Sequence, residues 1–134
     1  MLQKELIVFK GGDFRDYLNN SEPVIYNELG RNGELSMRVM PMFVGSTCFS
    51  YAISVQASWY NCCIPKITLP DFYEYETFEC AIIYKDEMVD NPVGLLGNFK
   101  YIDRLFSYFR LGIFSNVPAD LVQEVVEFIC SIEE

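Results

Sequence analysis

The sequence predicts an α+β fold: one domain over residues 1–134, with an antiparallel meander of about four to five strands and C-terminal helices packed on one face. Three observations point there. The segment "CFSYAISVQASWY" alternates with a period of two, with Phe49, Tyr51, Ile53, Val55, Ala57 and Trp59 on one face and Ser50, Ala52, Ser54, Gln56, Ser58 and Tyr60 on the other. After Asn91-Pro92 the period changes: Phe99, Ile102, Phe106 and Phe109 recur at helical spacing, as do Leu121, Val125, Phe128 and Ile132 after Pro118. Finally, 134 residues that are 51% hydrophobic and 16% aromatic suffice for a packed core and argue against disorder.

The elements follow in chain order. "KELIVFK" reads as a strand, and "DFRDYLNN" as a short helix capped by Asp13. "GRNGE" reads as a loop. "ELSMRVMPMFVGST" predicts a strand from Glu34 to Phe43, with Gly45 and Ser46 turning it into a hairpin with the alternating segment. Pro41 lacks a backbone donor, which places it at an edge or a bulge. "CIPKITL" is a further strand candidate closed by Pro70. "YETFECAIIYKD" is another, with a polar turn over Lys85–Glu87. Asn98 would cap a helix over Phe99–Arg110, widened by Leu105 and stopped by Gly112. Pro118 would open the last helix, with Val122 and Ile129 beside its apolar stripe and Asp120, Glu124 and Glu127 on another side. Asp120 suits the positive N-terminal end of that helix. Glu133 and Glu134 fall at its unfavourable end, where a frayed terminus is expected.

The net charge of −9 is unevenly placed. Residues 1–70 balance, with six acids and six bases. Residues 71–90 carry seven acids and one Lys, residues 91–110 carry one acid and three bases, and residues 111–134 carry five acids and no base. Such a field repels nucleic acids and anionic membranes and attracts a basic partner. The stretch from Val39 to Pro65 is uncharged and long enough to cross a bilayer. Its Ser, Thr, Gln and Asn content, with Pro41 and Gly45, instead suits the core of a sheet. The five cysteines (Cys48, Cys62, Cys63, Cys80 and Cys130) are odd in number and form no CxxC pair. They read as free thiols in a reducing cytoplasm rather than as a disulfide framework. The N-terminal apolar run is too short, and meets an acid too early, for a signal peptide.

Catalytic motifs are wanting. With no histidine, Ser-His-Asp and Cys-His catalysis and every His-containing zinc site are excluded. Cys62-Cys63 lacks redox spacing, and paired zinc knuckles are absent. "GGDFRD" and "GLLGN" match no phosphate loop, and "GSTCFS" is not a nucleophile elbow. Nor is there a DxDxDG calcium loop. Read as a strand, the stretch "DFYEYETFEC" would set Glu74 and Glu76 about 7 Å apart on one face, a spacing open to glycosidase-type acid–base work if one were desolvated. On composition the expectation is a non-enzyme with no metal or cofactor.

A docking surface is the stronger reading of "DFYEYETFEC". Tyrosine offers rigid contact area with a polar tip, and carboxylates steer a basic partner and accept paired contacts from Arg. The candidate partner-binding residues are Asp71, Tyr73, Glu74, Tyr75, Glu76, Glu79, Asp86, Glu87 and Asp90. The competing reading is an ordinary amphipathic strand whose rings pack inward while its acids face water. Either the face bearing Phe72, Glu74, Glu76 and Phe78 or that bearing Tyr73, Tyr75, Thr77 and Glu79 would be exposed.

In size, thiol content and lack of a catalytic motif, the chain resembles the small acidic immunity proteins of bacterial contact-dependent and other polymorphic toxin systems. "DFYEYETFEC" and the acidic closing helix "VPADLVQEVVEFICSIEE" carry the resemblance further. It implies a cytoplasmic inhibitor that binds one cognate toxin, often a basic nuclease, over or beside its active site. It transfers no site residue, because those families share no motif. A phage-type anti-defence inhibitor, or a mimic of nucleic acid charge, is the near relative of this reading. The alternative of another class is a small-ligand-binding α+β domain with its pocket between the sheet and the Phe99–Phe109 helix.

Overall fold

A computed structural model describes residues 5–133. Lys4, at the start of the first expected strand, and Glu134, at the expected frayed end, lie outside the described residues. The strands are β1 (Leu6–Val8), β2 (Val24–Tyr26), β3 (Met37–Val39), β4 (Met42–Val44), β5 (Tyr51–Gln56), β6 (Thr77–Tyr84), β7 (Glu87–Met88), β8 (Phe109–Arg110) and β9 (Ile113–Pro118). The helices are α1 (Phe14–Asn19), α2 (Ile102–Phe106) and α3 (Ala119–Cys130), with a single 3-10 turn at Phe72–Glu74. The fold is α+β, with α3 laid on one face of the main sheet.

That sheet runs β1-β4-β5-β6-β9-β8, with β7 added beside β6. β4, β5 and β6 form the expected antiparallel meander. The sheet is nevertheless mixed, because β1 pairs parallel to β4. It has seven strands, and β2 and β3 form a separate antiparallel ribbon. Both outer strands of the main sheet are short, three residues in β1 and two in β8.

Pro41 accounts for the ribbon. The expected single strand from Glu34 to Phe43 breaks at Met40-Pro41, so β3 joins β2 while β4 joins β5. At the break the Gln56 side chain stands in for a strand: the Met40 N–H donates to its Oε1 at 2.8 Å, and its Nε2 donates to the Met40 carbonyl at 2.9 Å. The amide thus satisfies a buried backbone that has left both ladders.

Period two holds on the core face of β5, where Ile53, Val55 and Ala57 are buried, but Phe49 and Trp59, expected on that same face, lie beyond the ends of the strand and are exposed. Phe78, Cys80 and Ile82 of β6 and Phe114 and Val117 of β9 continue that face. Leu121, Val122, Val125, Val126 and Ile129 of α3 cover it. The other face of the sheet carries a smaller cluster of Met42, Val44 and Ala52, with Val8 and Ile83 against it. Gly45 is required by packing, since a Cβ there would run into the carbonyl oxygen of Cys130 at the end of α3.

Two further expectations are corrected. "CIPKITL" forms no strand, only an isolated bridge between Ile64 and Thr77. Pro65 and Pro70 remove donors, and the Ile67 carbonyl and Leu69 N–H go to the Tyr75 hydroxyl instead of a ladder. The helix expected over Phe99–Arg110 contracts to α2, with no cap from Asn98. Leu111 and Gly112 both have positive φ (49° and 90°) and make a two-residue hairpin turn pairing Arg110 with Ile113. Gly112 is therefore a turn residue rather than a helix stop. Phe106 and Phe109 meet Phe114 across this hairpin at ring-centroid distances of 5.7 and 4.9 Å. Lys85 and Asp86 (φ 49° and 68°) make the corresponding turn between Tyr84 and Glu87.

Candidate functional site

The run from Asp71 to Cys80 is not one strand. Asp71 caps the 3-10 turn, its Oδ1 accepting from the Tyr73 N–H at 2.9 Å. The turn swings Phe72 and Tyr75 inward, each 2% exposed, and β6 begins only at Thr77. Neither of the two expected faces is therefore presented. Glu74 and Glu76 lie exposed on a turn and its exit, not side by side on a strand, so the glycosidase-like spacing is lost. Their carboxylates have no partner among the described residues.

Tyr75 leaves the docking set for a physical reason: it is buried and its hydroxyl is fully used. It donates to the Ile67 carbonyl at 2.6 Å and accepts from the Leu69 N–H at 2.7 Å and an Arg38 guanidinium nitrogen at 3.2 Å. Burial raises its pKa. Glu79 is half-buried and holds the neighbouring loop, accepting from Asn61 Nδ2 and the Cys62 N–H, both at 3.0 Å. Both side chains organise the fold.

Asp86, Glu87 and Asp90 are exposed at the far end of β6, roughly 23 Å from Thr77 at about 3.3 Å per residue. The structure thus divides the candidate residues between two ends of the sheet. The hairpin end sets Asp86, Glu87 and Asp90 against Lys85 and Arg110, a balance of −1. At the opposite end, α1 and residues 71–76 carry Asp13, Asp16, Asp71, Glu74 and Glu76 against Arg15 alone, a balance of −4.

Side-chain contacts knit this acidic end together. Asp13 caps α1 and chelates Arg15 through Nε and Nη2 at 2.9 and 2.7 Å. That bond holds the Asp13 carboxyl below the usual range. The Arg15 guanidinium stacks 4.3 Å from the Tyr73 ring centroid, and the Tyr73 hydroxyl donates to Asp16 at 2.7 Å. The bond to Asp16 pushes the Tyr73 phenol up to about 12. Asn19 links the two segments, donating to Asp71 Oδ1 at 3.0 Å and accepting from the Phe72 N–H at 2.9 Å. The Tyr73 N–H and Asn19 together lower the Asp71 pKa. Tyr73 is left 44% exposed, fixed on one side and open on the other. Asp13, Asp16, Arg15 and Asn19 were missed as site residues. The pair of acids three apart in "DFRD" was the available signal, since that spacing puts them on one side of a helix.

All five cysteines are free thiols. Burial pushes the Cys63 and Cys80 thiols up and Cys130 to about 12, the reverse of what a nucleophile needs. The space proposed for a ligand, between the sheet and the 99–109 segment, is filled by Leu96, Leu105 and Phe99, with Phe99 packed 5.2 Å from Phe128. A cleft of about 470 Å³ opens instead on the other side of the sheet, beneath the β2–β3 ribbon. Among the described residues no helix is long and apolar enough to cross a membrane. Compared with family models, with curated proteins and with solved structures, the chain matches none.

Proposed function

We propose that the protein is a non-catalytic inhibitor of the immunity type, which binds and neutralises a basic, nuclease-type toxin through the acidic end formed by α1 and residues 71–76. The observation that carries this reading is Tyr73, an exposed ring held by Arg15 and Asp16 and followed in the chain by the exposed carboxylates of Glu74 and Glu76, which have no partner among the described residues. An anchor ordered before binding loses little conformational entropy on docking. The surrounding field of −4 accelerates encounter with a cationic surface and leaves Glu74 and Glu76 free to accept from Arg or Lys. The hairpin end, nearly balanced in charge, suits that role less well.

The test is a paired charge reversal. Glu74→Lys with Glu76→Lys is expected to abolish capture of the cognate toxin and protection of toxin-expressing cells, at unchanged thermal stability. Asp86→Lys with Glu87→Lys, at the other end, should leave both intact. If the first variant captures and protects like the unaltered protein, the assignment fails.

A further inference from the structure

The cleft beneath the ribbon has a chemistry of its own, on a different face from the acidic end. Its floor is the side of the sheet opposite α3, formed by Met42, Ser54, Ala81 and Ile83, and Val24 and Val39 wall it from the ribbon. The Gln56–Met40 clasp ties the end of the ribbon to β5, and both residues line the cleft with Pro41. At about 470 Å³ the cleft lies in the usual range for small-molecule sites, roughly 300–1,000 Å³.

Its charged groups have one sign. Among the described residues, Glu5 and Glu22, both exposed, are the only charged residues lining it. Neither carboxylate has a hydrogen bond or ion pair within the described residues. Tyr26 also lines the cleft, and its hydroxyl has no hydrogen-bond partner within the described residues. Ser54 accepts from Gln56 Nε2 at 3.0 Å, which leaves its own proton free to donate. Apolar walls favour an alkyl or aryl body, and two unpaired carboxylates at the mouth favour a cation over an anion.

We infer that this cleft is a binding site for a small amphipathic amine, with the apolar body on the sheet floor and the ammonium group between Glu5 and Glu22. The test uses n-octylamine, n-octanol and octanoate below their aggregation concentrations, titrated into the intact protein by calorimetry. Octylammonium is expected to bind saturably, about tenfold or more tighter than octanoate, with octanol between. Glu5→Gln with Glu22→Gln should bring the amine down to the affinity of the alcohol while alcohol binding persists. Ala81→Phe should fill the floor and remove binding of all three. Methyl resonances of Met40 and Met42, which line the cleft, should shift with octylamine in the unaltered protein while Met88 stays still. This readout remains decisive if the Ala81 variant fails to fold. Absence of saturable binding, equal binding of octanoate, or an unmoved Met42 methyl would each overturn the assignment. The Glu74/Glu76 variant should bind octylamine normally, which separates this site from the docking surface.

Discussion

Arg38 offers the sharpest energetic test of the fold. It is 6% exposed on β3, stacks 4.4 Å over the Phe72 ring, and donates to the Leu69 and Ala57 carbonyls at 2.6 Å each. Among the described residues no carboxylate pairs with it, and its Nε is the only buried side-chain polar atom without a hydrogen-bond partner. Replacing it by Met keeps much of the volume but strands two carbonyls, at about 1–3 kcal/mol each, and loses about 1 kcal/mol of stacking. Removing a poorly compensated buried charge returns part of this, on the order of 2 kcal/mol. The net expectation for Arg38→Met is a loss of about 3 kcal/mol, because charge-assisted bonds to carbonyls outweigh an incompletely satisfied guanidinium. Urea melts followed by tryptophan fluorescence would measure it. Arg38→Lys should fall between, since one ammonium cannot replace a planar fork spanning two carbonyls. If Arg38→Met is as stable as the unaltered protein within about 0.5 kcal/mol, desolvation dominates and the reasoning is wrong.

Further outcomes follow from the same geometry. Leu111→Asn should stabilise by about 1 kcal/mol in the same melts, because a wholly exposed Leu at φ 49° gains nothing from packing and Asn tolerates that backbone. Gly45→Ala should cost about 2 kcal/mol or more, since its Cβ meets the backbone of Cys130 rather than a movable side chain. The junction of α1 with the 3-10 turn should loosen at both extremes of pH. Asp13 and Asp71 have lowered pKa values, so their contribution is present above the ordinary Asp range and lost as pH falls through the folded values. Tyr73 has a raised pKa, so its contribution is present below the ordinary phenol range and lost as pH rises through about 12. A phenolate absorbance titration should show late-ionising tyrosines, with one fewer in Tyr73→Phe because the buried Tyr75 remains. A thiol-reactive dye at neutral pH should leave Cys63, Cys80 and Cys130 unlabelled until the protein is unfolded.

The sequence was most legible where a local signal and a tertiary role agree. Asp13 caps α1, Pro118 opens α3, and β5 alternates, because each depends on near neighbours. The residues between 99 and 112 misled because aromatic spacing fits a helix and a hairpin equally. The deciding fact was a Leu in left-handed backbone, where propensity would place Asn or Gly. β9 went unread because its partner β6 lies more than thirty residues earlier, and only tertiary pairing makes Ile113–Pro118 a strand. Within the candidate site, acidity was read correctly from composition, but facing was not. Period two carries Asp71–Glu76 into the strand, whereas the Asp71 cap turns the chain and buries Tyr75. The link from Tyr73 to α1 joins residues 57 apart and has no sequence signature.

The short outer strands of the sheet bear on what happens when molecules meet at high concentration. A foreign strand laid against β1 or β8 would find only two or three residues of open ladder before the chain turns away. The longer strands, β5, β6 and β9, each lie between two neighbours in the sheet. A chain this apolar is thereby protected against strand-by-strand fibre growth at its main sheet. The exception is the β2–β3 ribbon, whose outer edges pair with no other strand among the described residues and whose Val24, Ile25 and Tyr26 are exposed. Self-association of this protein on ageing or heating should therefore begin at the ribbon, and a single Lys in place of Ile25 should delay it.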